Sequence, residues 1–423
     1  MPKQVSSHFE KSLRWIPIAL INFVSSFQVF ANPIDIAVLT TSSDHRALFV
    51  KYEKDFEQNN PDININIKFL SDTDFKQSLS QWLKEKSGPQ IVTWQAGQRL
   101  FQLVDKNQVT DLSFIWNKYG LHDKFSVSAT HAITRDNSQY AIPASYYQWG
   151  LYYRHSLFQQ LNLSPPNTWE QLVSICETLL KNDVVPFTIG AKNKWTSAAW
   201  FDYLNLRING LEFHQKLLLG EHSFQSSEVR EVFERWRELL DKGCFTDRFK
   251  GWNWSEAMPF LYHKLAGMTL IGNFFASNLP TTLEEDFRFS AFPEINSGVP
   301  LYEEAPLDLF MVPSYAQMDE ALEKVIVSLT DEQFLGKLNE ATTMISPIRG
   351  SKPMNKNYFI TEGQNLLSKA EGVSQFFDRD TNADMANSAT TIFTDFMADK
   401  NVEQALNKLE DARKKHLLSK LTH

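Results

Sequence analysis

Apolar and polar positions change period repeatedly along this chain, and the changes predict alternating strands and helices. Ile34, Ile36, Val38 and Leu39 mark a strand over 34–40. Ser42-Ser43-Asp44 then offers helix-capping side chains ahead of a helix over 45–59, which Pro61 stops. Ile63, Ile65, Ile67 and Phe69 alternate with polar residues as a second strand. Asp72 and Asp74 open a helix to Lys86, Gly88-Pro89 turns the chain, and Gln90–Trp94 is a third strand. A helix over 99–106 follows. The order β-α-β-α-β-α predicts a doubly wound parallel sheet.

The pattern changes at Tyr140-Ala141-Ile142-Pro143. An aromatic run, Tyr146-Tyr147-Gln148-Trp149, leads into a strand over 150–154, read as a first crossing between two lobes. Thr168 is the predicted cap of a helix to Lys181. A strand is predicted over 186–190 and a helix over 198–207 ending at Asn209-Gly210. An amphipathic helix spans 228–241, another spans 255–264, and strands span 267–272 and 287–292. Leu307–Pro313 is a strand assigned back to the first lobe, with helices over 319–329 and 331–339 behind it. Ile345–Gly350 reads as a further crossing, and the tail from Ser374 reads as helical, closing with a helix over 402–418. The predicted division is 32–143 with 306–345 in one lobe and 144–305 with 346–423 in the other.

The first 31 residues follow a different logic. Lys11 and Arg14 precede an apolar run from Trp15 to Phe30 that is too short and too interrupted to span a bilayer. Val29-Phe30-Ala31 suits cleavage after Ala31, so the segment predicts a secretory leader and a mature chain from Asn32 in the periplasm. No cysteine directly follows the apolar run, which argues against a lipid anchor there.

Charge narrows the partners. The chain of 423 residues carries a net −8. The leader's Lys3, Lys11 and Arg14 against Glu10 leave the mature part near −10. This gives no electrostatic case for nucleic acid or an anionic membrane. Cys176 and Cys244 could pair in an oxidising compartment, or Cys176 could be a buried thiol in its helix. Glu303-Glu304 and Glu284-Glu285-Asp286 read as solvated loop charge. There is no Gly-x-Ser-x-Gly elbow, no His-Glu-x-x-His, no zinc-spaced Cys/His cluster and no phosphate-binding glycine loop, so no catalytic residue, metal or cofactor is expected.

The tryptophans carry the positive chemistry. Trp94 and Gln95 close a strand, and in a doubly wound sheet ligands bind off the carboxyl ends of strands. Trp149, Trp195, Trp200, Trp252 and Trp254 recur near junctions between elements. Flat aromatic faces suit sugar rings, and Asn, Gln and Asp supply directional bonds to hydroxyls.

Ile142-Pro143 with Tyr146–Arg154, Thr168–Leu172, Pro186–Trp195, Ala198–Leu204, Gly267–Phe274 and Asp308–Pro313, in this order and spacing, resemble the family-1 extracellular solute-binding proteins. These are receptors of carbohydrate-type ABC importers. The resemblance implies two α/β lobes of mostly parallel sheet flanked by helices, with a ligand cleft between them. It also implies a sugar ligand, a membrane permease as partner, no enzyme activity and a monomer. Carried over by position, the ligand residues are Trp94, Gln95, Tyr147, Trp149, Trp195, Trp254, Asn273 and Asp308, with Asp44 and Arg349 added. Many relatives have Gly-Asp-Trp where this chain has Gly272-Asn273-Phe274, which leaves the ligand open. A non-sugar solute such as a polyamine or peptide on the same fold, or a secreted carbohydrate-active enzyme, are the alternatives.

Overall fold

A computed structural model describes residues 33–40, 42–352 and 357–418. The expected leader and its cleavage site lie outside the described residues. The first strand, β1 (Ile34–Leu39), leads into α1 (Ser43–Asn59). Ser42, not Asp44, caps α1: its hydroxyl accepts the His45 N–H at 3.2 Å. His45, Phe49, Tyr52 and Phe56 recur every three to four residues and form the buried face of that helix. β2 (Ile65–Leu70), α2 (Asp72–Glu85), β3 (Ile91–Gln95) and α3 (Gln98–Val104) follow as the periodicity predicts. In α2, Phe75, Leu79 and Leu83 sit four apart and are buried.

The chain then enters β4 (Ile142–Tyr146) and, after two residues, β5 (Trp149–Arg154). The second unit continues with α4 (Trp169–Lys181), β6 (Val185–Phe187), α5 (Ala198–Leu218), α6 (Ser227–Asp241), α7 (Trp254–Tyr262), β7 (Ala266–Gly272) and β8 (Phe287–Ser290). Thr168 caps α4 in a reciprocal box with Gln171, as expected. The first helical run of α5 ends at Gly210, as expected: this residue adopts the non-helical φ 80°, ψ 175°, a conformation glycine takes without strain, and a second run continues beyond the kink to Leu218. The return to the first unit runs through β9 (Tyr302–Glu304) and β10 (Leu307–Met311), then α8 (Glu320–Ser328) and α9 (Glu332–Ala341). The tail is largely helical from Phe377, as expected, with α10 (Ala383–Asp399) and α11 (Val402–Arg413); just ahead of it β11 (Gly372–Ser374) pairs in parallel with β9.

The two larger sheets have the orders β2-β1-β3-β10-β4 and β8-β5-β7-β6. In the first, β10 runs antiparallel to β3 and β4, while β1, β2 and β3 are mutually parallel. In the second, β5 runs antiparallel to β7 and β8, and β6 is parallel to β7. Each sheet therefore has one reversed strand. Both reversed strands arrive directly from the other unit: they enter at the cleft end, so they run against strands that leave toward it.

The buried apolar residues form two separate cores. Ala144, Tyr146 and Leu307 pack in the first, and Tyr147 and Trp149 in the second, so the change of core falls between adjacent tyrosines.

Candidate ligand cleft

A cleft of about 290 Å³ lies between the two cores. That is near the lower end for small-molecule sites, ~300–1,000 Å³. The first sheet supplies it with strand ends: Leu39 from β1, Trp94 and Gln95 from β3, Ser145 from β4 and Asp308 from β10. Register explains the convergence. Asp308 stands opposite Gln95 on one side and Ser145 on the other. From the second unit come Tyr147, Trp149, Trp195, Trp254 and Phe274, and from the segment before α10 come Phe376, Asp378 and Arg379.

Aromatic rings form the wall on the second unit. Trp149 is stacked on Phe376 at 4.5 Å between centroids and 19° between planes. Trp195 meets Trp149 edge-on at 6.0 Å, and Trp254 meets Phe274 edge-on at 5.1 Å. Trp149 is almost fully buried, whereas Trp195 and Trp254 keep part of their faces open. Across the cleft, Trp94 stacks on Phe75 at 6.3 Å and donates its indole N–H to the Arg99 carbonyl at 3.2 Å.

The charged groups are paired with one another. Arg379 Nη1 donates to Asp308 Oδ1 at 2.9 Å, and its Nη2 donates to the Tyr147 hydroxyl. Arg99 donates to Asp378 Oδ2 at 2.6 Å and to Gln95 Oε1 at 2.7 Å. Lys76 pairs with Asp72 at 2.9 Å. Burial raises the Asp308 carboxyl, and Arg379 pulls it back down. Burial likewise lowers His45, another lining residue, to about 4, so this imidazole is neutral at pH 7. Each lining carboxylate thus has a cationic partner, and the cleft presents neutralised polar groups beside exposed rings. Among the described residues, no group of three or more His, Cys, Asp or Glu side chains is placed to hold a metal ion.

Of the expected ligand residues, the fold brings Trp94, Gln95, Tyr147, Trp149, Trp195, Trp254 and Asp308 to this cleft. Three lie elsewhere. Asp44 is exposed in the first turn of α1, one residue before the lining residue His45. Arg349 does not line the cleft and instead donates to the carbonyls of His122 and Phe125 at 3.2 and 3.4 Å. Asn273 is fully buried. It accepts the Tyr152 hydroxyl at 2.6 Å and donates to the Thr343 carbonyl, steadying a β-branched residue held at φ 55°. Its neighbour Phe274 lines the cleft instead. Trp200 is buried in the second core and Trp252 packs on Phe260 at 4.9 Å.

Periodicity missed Phe376, Asp378 and Arg379. The only trace they leave in the sequence is a short stretch, Gln375–Asp380, that mixes aromatic residues with both charges ahead of a helix. Glu303 and Glu304 also differ from expectation. They are fully buried rather than solvated: Glu303 pairs with Arg207, and Glu304 faces Asp202.

Comparison with known proteins agrees with this architecture. The profile of the bacterial extracellular solute-binding proteins matches residues 42–334. This chain belongs to that family. It is 24% identical over 324 residues to an uncharacterised ABC transporter extracellular-binding protein of Pyrococcus horikoshii, covering 75% of this chain and 70% of that one. It is 22% identical over 306 residues to a multiple sugar-binding protein of Streptococcus mutans, covering 66% and 67%. Among solved structures, the bacterial solute receptor AcbH, described as preferring β-D-galactopyranose, superposes with a TM-score of 0.84. Its identity to this chain is 26%, with 90% of this chain and 98% of that one covered. A maltose-bound protein from T. maritima shares the fold at a TM-score of 0.76 and 15% identity, covering 91% and 99%.

Proposed function

We propose that this chain is the exported sugar receptor of an ABC importer, capturing a neutral mono- or oligosaccharide between its lobes for a membrane permease. The observation that carries the reading is the pairing of open aromatic faces with charges already neutralised inside the cleft. Trp254, Trp195 and Phe274 offer faces to the weakly apolar C–H side of a sugar ring. Asp308 and Gln95 offer acceptors to hydroxyls while their neighbours Arg379 and Arg99 hold them in place. A polyamine would need unpaired carboxylates, and Asp72, Asp308 and Asp378 are each bound to a cation. The sugars named for AcbH and the T. maritima protein support the same class.

The lobes in this reading follow the two cores: buried apolar residues from Ile34 to Tyr146 and from Ala305 to Leu338 pack in the first, and those from Tyr147 to Phe292 and from Phe376 to Ala412 pack in the second. A ligand that touches both lobes stabilises the closed arrangement through its higher affinity for that state. The leader and the family support secretion, with the mature chain from Asn32 acting as a monomer and performing no turnover.

The test is tryptophan fluorescence of residues 32–423 titrated with D-galactose, maltose, raffinose and spermidine. A saturable shift with at least one sugar is expected, together with a rise in Tm worth ~2.7 kcal/mol at a hundredfold excess over Kd. A response to spermidine alone, or release of product from a glycoside, overturns the reading.

A further inference from the structure

The chain carries two cysteines, and the fold brings them together. Cys176 lies on the buried face of α4, and Cys244 follows the end of α6. Both are fully buried in the second core, and both are thiols in the structure. Each packs against the same core, and the two thiols are close enough to interact electrostatically. The backbone on either side is fixed. Glu177, beside Cys176, takes the Lys242 ammonium at 2.7 Å, two residues before Cys244. Cys244 donates its N–H to the Leu239 carbonyl at 3.0 Å and accepts the Phe187 N–H at 2.8 Å.

We propose that the exported chain joins Cys176 and Cys244 in a disulfide that ties α4 to the end of α6. The extracellular station of the family places the pair where thiols are oxidised, and the inference rests on that location rather than on any ligand. The co-reactant is a protein disulfide of the oxidising compartment. One cysteine thiolate attacks a sulfur of that disulfide, forming a mixed disulfide. The second thiolate then displaces the oxidant's remaining sulfur. The two cysteines lose two protons and two electrons in all, and the oxidant leaves as a dithiol. Neither sulfur is exposed, and burial pushes the Cys176 thiol far above its ordinary pKa. The exchange therefore belongs to the folding chain, before this core closes. Once made, the bond restricts the unfolded chain across the long segment between the two cysteines.

The test needs no variant. The full chain is exported from a bacterial host, denatured, and treated with iodoacetamide before or after reduction, and its intact mass is measured. The expected result is no alkylated thiol without reductant and two after reduction. The chain expressed without residues 1–31 in a reducing cytosol marks the mass of the doubly alkylated form. One or two alkylated thiols in the unreduced exported protein, or a covalent dimer on a non-reducing gel, overturns the proposal.

Discussion

Arg379 holds Asp308 and Tyr147 together: its guanidinium is bonded to the carboxylate at 2.9 Å and sits over the Tyr147 ring, 5.4 Å from the centroid. Asp308 enters from the first sheet and Tyr147 from the crossing, while Arg379 comes from a segment anchored to the second unit. Phe377, two residues earlier, donates its N–H to Asp202 of α5 at 2.8 Å.

Removing that guanidinium leaves the Asp308 carboxyl with burial alone, which raises it further. Arg379→Met is expected to weaken sugar binding about 10- to 100-fold at pH 7, the range of a charged hydrogen bond. The acid side of the affinity profile is expected to move to higher pH, because the protonated carboxyl accepts more weakly from a hydroxyl than the carboxylate does. Titrations between pH 5 and 9 check this; parallel profiles for the two proteins would leave Arg379 a packing role only.

Asp202 and Glu304 meet inside the second unit, where burial raises both, Asp202 to about 8. Nearby, Glu303 is paired with Arg207, Asp378 and Asp380 add negative charge, and His214 is lowered to about 3 and therefore neutral. The folded protein keeps a proton that the unfolded chain releases near pH 4. Stability is thus highest in acid relative to this pair and falls as pH rises from about 4 to about 8, by up to ~1.4 kcal/mol per pH unit for each proton the folded state retains. Asp380, raised to about 6, adds to the lower part of the window. Asp202→Asn is expected to flatten the upper part and to be more stable than the parent at pH 8. Urea unfolding at pH 5, 6.5 and 8 gives the slopes.

Two tryptophans on the same wall are expected to respond differently. Trp149 is 1% exposed and stacked on Phe376, so Trp149→Ala costs ~3–5 kcal/mol of stability, as other buried aromatic truncations do. Trp254 is only partly buried at the start of α7, whose cap is Asn253. Trp254→Ala is expected to lose sugar binding with little change in Tm. Calorimetry beside the fluorescence titration separates the two effects, and a large fall in Tm for Trp254→Ala contradicts the assignment.

Gly97 follows β3 at φ +79°, and a Cβ there would stand 2.5 Å from Asp380 Oδ1 and 2.8 Å from the Arg379 carbonyl. Gly97→Ala therefore pushes on the segment that carries Arg379 and adds left-handed backbone strain of ~1 kcal/mol or more. Reduced stability and reduced affinity together are expected. An unchanged affinity would show that the segment adjusts without moving Arg379.

Much of the fold was legible because it is local. The buried stripe at 45, 49, 52 and 56 in α1, the cap at Thr168 and the alternation in β2 each depend on residues within a turn or two. Part of the site was legible by the same route: Trp94 and Gln95 end a strand, and strand ends face the cleft. Asn273 was misplaced because a polar residue after a strand reads the same whether it faces a cleft or braces a buried carbonyl. Glu303 and Glu304 read as surface charge because their partners, Arg207 and Asp202, are about a hundred residues away.

By itself the sequence determined which segments are strands and helices, the expected export leader, the two-lobed class and the aromatic character of the site, because periodicity, capping and composition act over short range. Only the tertiary structure decided which carboxylates are neutralised, that Arg379 serves Asp308, that one strand in each sheet is reversed, and that Cys176 meets Cys244. Those relations join residues far apart in the chain, and they are fixed by how the two cores pack rather than by any local preference.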